Sequence, residues 1–257
     1  MTPLIPLGAL PAGIVMLVAG LIKRGSANAF KSIPCSPIAG LKGGERLFIT
    51  GKATAPVHTR APVSGDSCVF YTEAVDRTYR RHQIGSSLNE RHTERVNTRA
   101  YGGFFVRDGS GTALVVPHYD VLDLTKPATV KDDSLSDMSG STRRTERLIL
   151  EGDAVTVLGT PRNLGDFMRY LRANSGLDMP APFVEQLLKM EKEEAGASLQ
   201  CFFGQGVERV SDVEHTAYVA GTANSAAFLL KLGAILAASG LAFLLYILKS
   251  AAPSQDF

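Results

Sequence analysis

Leu4–Ile22 reads LIPLGALPAGIVMLVAGLI, nineteen residues without a charged side chain. At about 1.5 Å of rise per residue such a helix reaches about 28 Å, close to the thickness of a bilayer's hydrocarbon core. A second run, Phe228–Leu248 (FLLKLGAILAASGLAFLLYIL), is interrupted only by Lys231. The two runs predict membrane spans at 4–22 and 225–248, bracketing a mostly polar middle. Whatever that middle does, it is expected to do beside a bilayer.

The first run reads as an uncleaved anchor rather than a signal peptide. No Lys or Arg precedes it, and the basic pair Lys23-Arg24 follows it. The Ala27-Asn28-Ala29 triplet keeps cleavage as the alternative. Pro6 falls near the helix start, whereas Pro11 predicts a kink that a bilayer tolerates when neighbours satisfy the freed carbonyl. Lys231 sits near one edge of the second run, so its stem can lie along the helix and carry the ammonium to the headgroups. Tyr246 and Lys249 mark the opposite interface. Small residues (Gly8, Ala12 and Gly13; Gly233, Ala237 and Gly240) recur at helical spacing and suggest packing of one span on the other, or self-association.

The chain carries 27 basic and 25 acidic residues. Setting aside Lys23, Arg24, Lys231, Lys249 and Asp256 leaves 23 basic against 24 acidic in the middle. Near-neutrality argues against a nucleic-acid partner. Cys35, Cys68 and Cys201 are too few and too scattered for a disulfide framework and read as free thiols, buried by default.

The middle divides at its composition changes. Residues 23–44 are rich in Ser, Pro and Gly and read as a linker with a short docking segment. Residues 45–160 read as β: a strand over Glu45–Ala53 bent at Gly51, the turn Pro62–Asp66, and a strand over Ser67–Val75 (SCVFYTEAV). Phe104–Val106 and Ala113–Val116 form a hairpin turning at Asp108–Gly111. Residues 76–100 look extended but highly charged. Residues 125–142 read as a flexible polar excursion, and two short strands flank Glu151-Gly152-Asp153. Helices follow over Asn163–Asn174 and Pro182–Ala195, then a strand over Leu199–Phe203. Residues 161–224 are thus a helical portion and membrane approach, and 249–257 a short tail. The fold class expected is α+β: an antiparallel β-rich, barrel- or sandwich-like domain with C-terminal helices, flanked by two transmembrane helices.

The largest single-sign feature is the series Arg77, Arg80, Arg81, His82, Arg91, His92, Arg95 and Arg99, with Tyr79 and Tyr101 nearby. It suits phosphates, of lipid headgroups or nucleotides; the alternative is a solvated hairpin face offset by Asp76, Glu90 and Glu94. Asp108-Gly109-Ser110-Gly111 offers backbone amides that could cradle an anion, or is an ordinary turn. His82, His92 and His118 have no spacing that implies a metal, and Glu191–Glu194 reads as the wet face of a helix. No catalytic residue, cofactor or metal is expected.

The order of several segments resembles the GIDE domain, also called the BAM ("beside a membrane") domain. The segments are Ile33–Ile38 with Gly40-Leu41; Gly51-Lys52; Pro62–Gly65 with Cys68–Tyr71; Phe104–Asp108 with Gly111; and Glu146 with Gly152-Asp153 and Val157–Gly159. The matching positions include Pro62, Gly65, Cys68, Tyr71, Asp108, Gly111, Gly152 and Asp153. The best-known members are mulan-type mitochondrial E3 ubiquitin ligases, arranged span, BAM domain, span, zinc-binding RING. A RING needs eight Cys/His ligands, mostly in Cys-x-x-Cys pairs; this chain has no such pair and nine residues after the second span. The resemblance therefore implies the membrane half without the ubiquitin-transfer half. The expected function is a non-catalytic two-span membrane protein whose domain binds a protein, lipid headgroup or small ligand. The alternative is a member of the E3 ligase family acting with a partner that supplies catalysis. Lys23-Arg24 favours a cytoplasmic domain, whereas the ligase arrangement implies the intermembrane space, equivalent to a periplasm; in a prokaryote the membrane is the cell membrane.

Overall fold

A computed structural model describes residues 4–82, 89–134, 140–174, 177–193 and 198–251; within these ranges the side chains of 4–7, 80–82, 89–90, 134, 248, 250 and 251 lie outside the description. The chain forms two units, a helical one up to Ile33 and from Thr216, and a β-rich one over Pro34–His215.

The helical unit consists of α1 (Leu4–Ser32) and α4 (His215–Ala251). Both are long and apolar enough to cross a membrane. Helix α1 runs through Pro11 and ten residues past the apolar run, so 23–32 is helix rather than linker. Lys23, Arg24 and Lys31 are scattered along a stretch of otherwise small and polar residues, which hides its helical period from a hydropathy reading.

The two helices run antiparallel at close quarters. A Cβ on Gly13 would strike the backbone of Ala237, one on Gly20 would lie 2.8 Å from Leu230, one on Gly233 2.8 Å from the Leu17 nitrogen, and one on Gly240 2.6 Å from the Leu10 nitrogen. Each step of seven forward on α1 matches a step of seven back on α4. Each glycine lies against the other helix, and Gly13 and Gly233 also approach one another, which is how helices come close without a polar contact. Of the small residues singled out from the sequence, Gly13, Ala237, Gly233 and Gly240 lie in this seam; Gly8 meets nothing and Ala12 is exposed. Gly20 joins the seam, and Ala27 and Ala226 are buried.

The β-rich unit has a seven-stranded sheet in the order β11-β12-β7-β6-β1-β10-β13. Its strands are β1 (Leu47–Thr54), β6 (Phe104–Arg107), β7 (Thr112–Val116), β10 (Ala154–Gly159), β11 (Arg162–Asn163), β12 (Gln200–Phe203) and β13 (Val207–Ser211). All neighbours are antiparallel except β12 beside β7. The sheet is open rather than a closed barrel. A four-stranded sheet has the order β5-β4-β9-β8, with β4 (Phe70–His82), β5 (Asn89–Gly102), β8 (Thr129–Ser134) and β9 (Gly140–Ile149). A small hairpin pairs β2 (Thr59–Arg60) with β3 (Ser67–Cys68).

Successive residues of a strand face opposite ways, so the seven-stranded sheet feeds two cores. Phe104, Val106, Val115 and Phe202 join Ile49, Val157, Phe70 and Ile149 on one side. Phe105, Leu114, Cys201 and Phe203 pack on the other against α2 (Leu164–Ala173) and α3 (Ala181–Lys192), through Phe167, Met168, Phe183 and Leu187. Burial on both faces explains why these strands read as short continuous apolar runs. Asn163 caps α2, its side-chain oxygen accepting the Asp166 N–H at 2.8 Å.

One segment differs from the sequence reading. The polar excursion at 125–142 contains β8 and the start of β9; residues 135–139 lie outside the described residues. Strands do flank Gly152, and they belong to different sheets, β9 lying on β4 and β10 on β1. At Gly51, where the sequence suggests a bend or bulge, the β1–β10 register runs without a shift, and the missing Cβ admits the backbone carbonyl of Arg107 on the other neighbouring strand.

Candidate binding cleft

The turn between β2 and β3 starts from local chemistry. Gly65 has φ +78°, a left-handed conformation that glycine adopts without steric cost. Its N–H donates to the Ala61 carbonyl at 3.0 Å, and the Ala61 N–H to the Asp66 carbonyl at 2.9 Å. The turn is fixed from outside by Glu146 of β9. That carboxylate, fully buried, accepts the N–H of Val63 at 2.7 Å and of Ser64 at 3.1 Å.

Beside this turn lies a cleft of about 260 Å³, lined by Asp66, Leu124, Lys126, Pro127, Glu146, Arg147, Leu148 and Leu150 among others. Its far wall is held by Asp212, which accepts the N–H groups of Thr125 at 2.6 Å and Lys126 at 2.9 Å. Lys126 reaches Asp153 at 2.6 Å, and Asp153 also accepts the Leu150 N–H at 2.9 Å. Leu124, Pro127, Leu148 and Leu150 supply an apolar wall. Arg147 is exposed at the rim, opposite in charge to Asp66. Such a site suits a small polar or zwitterionic group, or a peptide side chain seated against leucines.

Several residues that carry the family resemblance support this cleft rather than face a ligand. Pro62 and Gly65 form its turn. Gly152, φ +84°, donates to the Ala53 carbonyl at 2.8 Å and lets the 150–153 turn present Asp153. Cys68 is buried behind the turn and donates to the Thr59 carbonyl at 3.6 Å; burial, then the charges of Glu146 and Asp66, push its thiol up to about 12. A thiol so held is a core group, not a nucleophile. Tyr71 stacks on Tyr101 with ring centroids 5.3 Å apart, and burial raises its hydroxyl pKa.

Asp108 and Gly111 answer the anion-cradle question. The Asp108 carboxylate itself accepts the N–H groups of Ser110 at 2.7 Å and Gly111 at 2.8 Å, and that of Ile38 at 2.9 Å. The amides of Ser110 and Gly111 are thus taken up within the chain, as in an ordinary Asx-type turn.

The basic series does not form one patch. Strand β5 carries a bulge at Val96, between the Val75–Asn97 and Asp76–Arg95 pairs, and this shifts the pleat by one residue. Arg91 and Arg95 thus lie on one face of the sheet with Asp76, and Arg77 and Arg99 on the other. Arg95 pairs with Asp76 at 2.8 Å and Arg99 with Asp178 at 2.6 Å. Arg77 and Arg91 are exposed; the side chains of Arg80, Arg81 and His82 lie outside the described residues. His92 packs edge-on against Tyr79. Among the described residues no group of three His, Cys, Asp or Glu side chains converges on a metal-sized site.

In the sequence Glu146 stands out only as a position that carries the resemblance, and nothing marks Lys126, Arg147, Leu148 or Leu150. Glu146 stands between Thr145 and Arg147 in a polar, charged stretch, so no alternation marks it as buried. No family model, curated protein or solved structure matches the chain.

Proposed function

We propose that this chain is a two-span membrane protein whose β-rich unit is a GIDE/BAM-like, non-catalytic binding module acting beside the bilayer. The observation that carries the reading is the outer surface of α1 and α4. Val15 (67 % exposed), Ile22 (66 %), Phe228 (64 %) and Tyr246 (69 %) turn outward from the seam with other large apolar residues. Water would penalise that surface at roughly 25 cal/mol per Å², whereas acyl chains accept it. Neither helix contains an Asp or Glu. In the β-rich unit the cleft beside Glu146 is the site assigned to the ligand, and Cys68, the thiol nearest to it, is held in its unreactive form.

Membranes from cells expressing the full chain test the anchoring. The protein should stay in the pellet after alkaline carbonate and dissolve in detergent; release by carbonate would overturn the two-span reading. The non-catalytic reading is tested separately by metal analysis of the detergent-purified protein, where stoichiometric zinc would sink it.

A further inference from the structure

Beyond the apolar run the two helices stay together and enclose a second cleft. Its volume is about 240 Å³, and its lining is Arg24, Asn28 and Lys31 on α1 with Ala27, and Ala223, Ala226, Ala227 and Leu230 between the helices. Positions 24, 28 and 31 are spaced at four and three, so the two cations and the amide share one face of α1. The alanines keep the floor shallow and leave the space open. Among the described residues Arg24 and Lys31 have no acidic partner, and the nearest acidic residues in sequence, Glu45 and Glu214, lie outside both helices. Arg24 follows the apolar run by two residues and Asn28 by six, about 3 and 9 Å of helix, the depth of the phosphate layer next to a bilayer core.

We propose that this cleft is a binding site for the phosphate of an anionic phospholipid, held by Arg24, Asn28 and Lys31 with the acyl chains following the apolar surface below Leu230. Arg24 supplies a planar fork suited to two phosphate oxygens, Lys31 a point charge, and Asn28 an amide donor. The proposal rests on the two-span reading above.

The test uses the full chain purified in a non-ionic detergent, with native mass spectrometry reading lipid bound per protein. Phosphatidylglycerol, phosphatidylcholine and inorganic phosphate are the probes. Phosphatidylglycerol should bind in preference to phosphatidylcholine, and excess inorganic phosphate should not displace it. Arg24→Gln and Lys31→Gln should each weaken phosphatidylglycerol binding on the order of five-fold, about the value of one surface cation toward an anionic lipid. Ala223→Leu, which fills the floor and keeps every charge, should weaken it as well. Lys23→Gln, on the same helix but outside the cleft, should weaken it less than Arg24→Gln. Equal binding of the two lipids, displacement by inorganic phosphate, no effect of Ala223→Leu, or equal losses at Lys23 and Arg24 would each overturn the site. Carbonate extraction of the same variants reports insertion independently, so a chain that leaves the membrane fails the anchoring and not this site.

Discussion

Glu146 Oε2 lies 2.7 Å from the amide nitrogen of Val63, so a fully buried carboxylate on β9 holds a turn 83 residues earlier in the chain. Its other oxygen takes the N–H of Ser64. A charged acceptor that serves two backbone donors is worth more than a neutral one, and its removal strands both donors. Glu146→Ala should therefore destabilise the protein by about 3 kcal/mol. Glu146→Gln, which keeps one carbonyl acceptor, should cost less. Denaturant melts of the two variants check this ordering; equal stability of Ala and wild type would show that the turn holds itself.

The thiols should separate by reactivity. Cys35 is exposed, whereas Cys68 and Cys201 are buried, with Cys68 pushed up to about 12 and Cys201 raised further by burial. Since the thiolate is the reacting species, one thiol per chain should label at pH 8 in the native protein and three after denaturation. Mass spectrometry of the labelled peptides gives the count. Cys35, not Cys68, is thus the thiol that reports the accessibility of the β-rich unit.

Acid should weaken the fold through Asp108 and Asp212. Burial works against each charge, but hydrogen bonds outweigh it, from Ser110, Ile38 and Gly111 at Asp108 and from Thr125 and Lys126 at Asp212. Both carboxyls therefore titrate below their ordinary value in the folded state. A depressed folded pKa contributes stability that is fully present above the unfolded value, near 3.9, and is lost as pH falls through the folded one. Stability should be flat on this account above about pH 5 and fall below about pH 4. Asp108→Asn should flatten part of that slope in melts run as a function of pH.

The glycine seam predicts an asymmetry among small-residue substitutions. Gly233→Leu or Gly240→Leu must push the helices apart, because even a Cβ would lie 2.8 Å from the Leu17 nitrogen or 2.6 Å from the Leu10 nitrogen. Gly8→Leu meets nothing. Thermal unfolding in detergent should show a clear loss for the first two and no loss for the third; equal behaviour would mean the seam does not stabilise the pair.

What was legible in the sequence follows physical scale. The two long helices announce themselves by composition, and the β6–β7 hairpin by apolar runs around Asp108-Gly109-Ser110-Gly111. Strand β8, TVKDDS, lies at a sheet edge with Thr129 to Asp132 exposed, so no burial pattern marks it. In β13, VERVS, Val207 and Val210 fall three apart because the register shifts on β10, which breaks the period of two. The cleft was invisible because its walls come from 66, 124–127 and 146–150, joined only by sheet pairing and by Glu146. The basic residues looked like one patch because a single bulge residue, Val96, leaves no mark in composition.

The antiparallel seam also sets an order of events. Every partner of Gly13 and Gly20 lies beyond the whole β-rich unit, so α1 emerges from the ribosome about 200 residues before α4. At 5–20 residues per second this is a wait of roughly 10–40 s. During that interval the glycine face of α1 lacks the helix that packs on it. The α1–α4 seam is therefore among the last contacts the chain can complete.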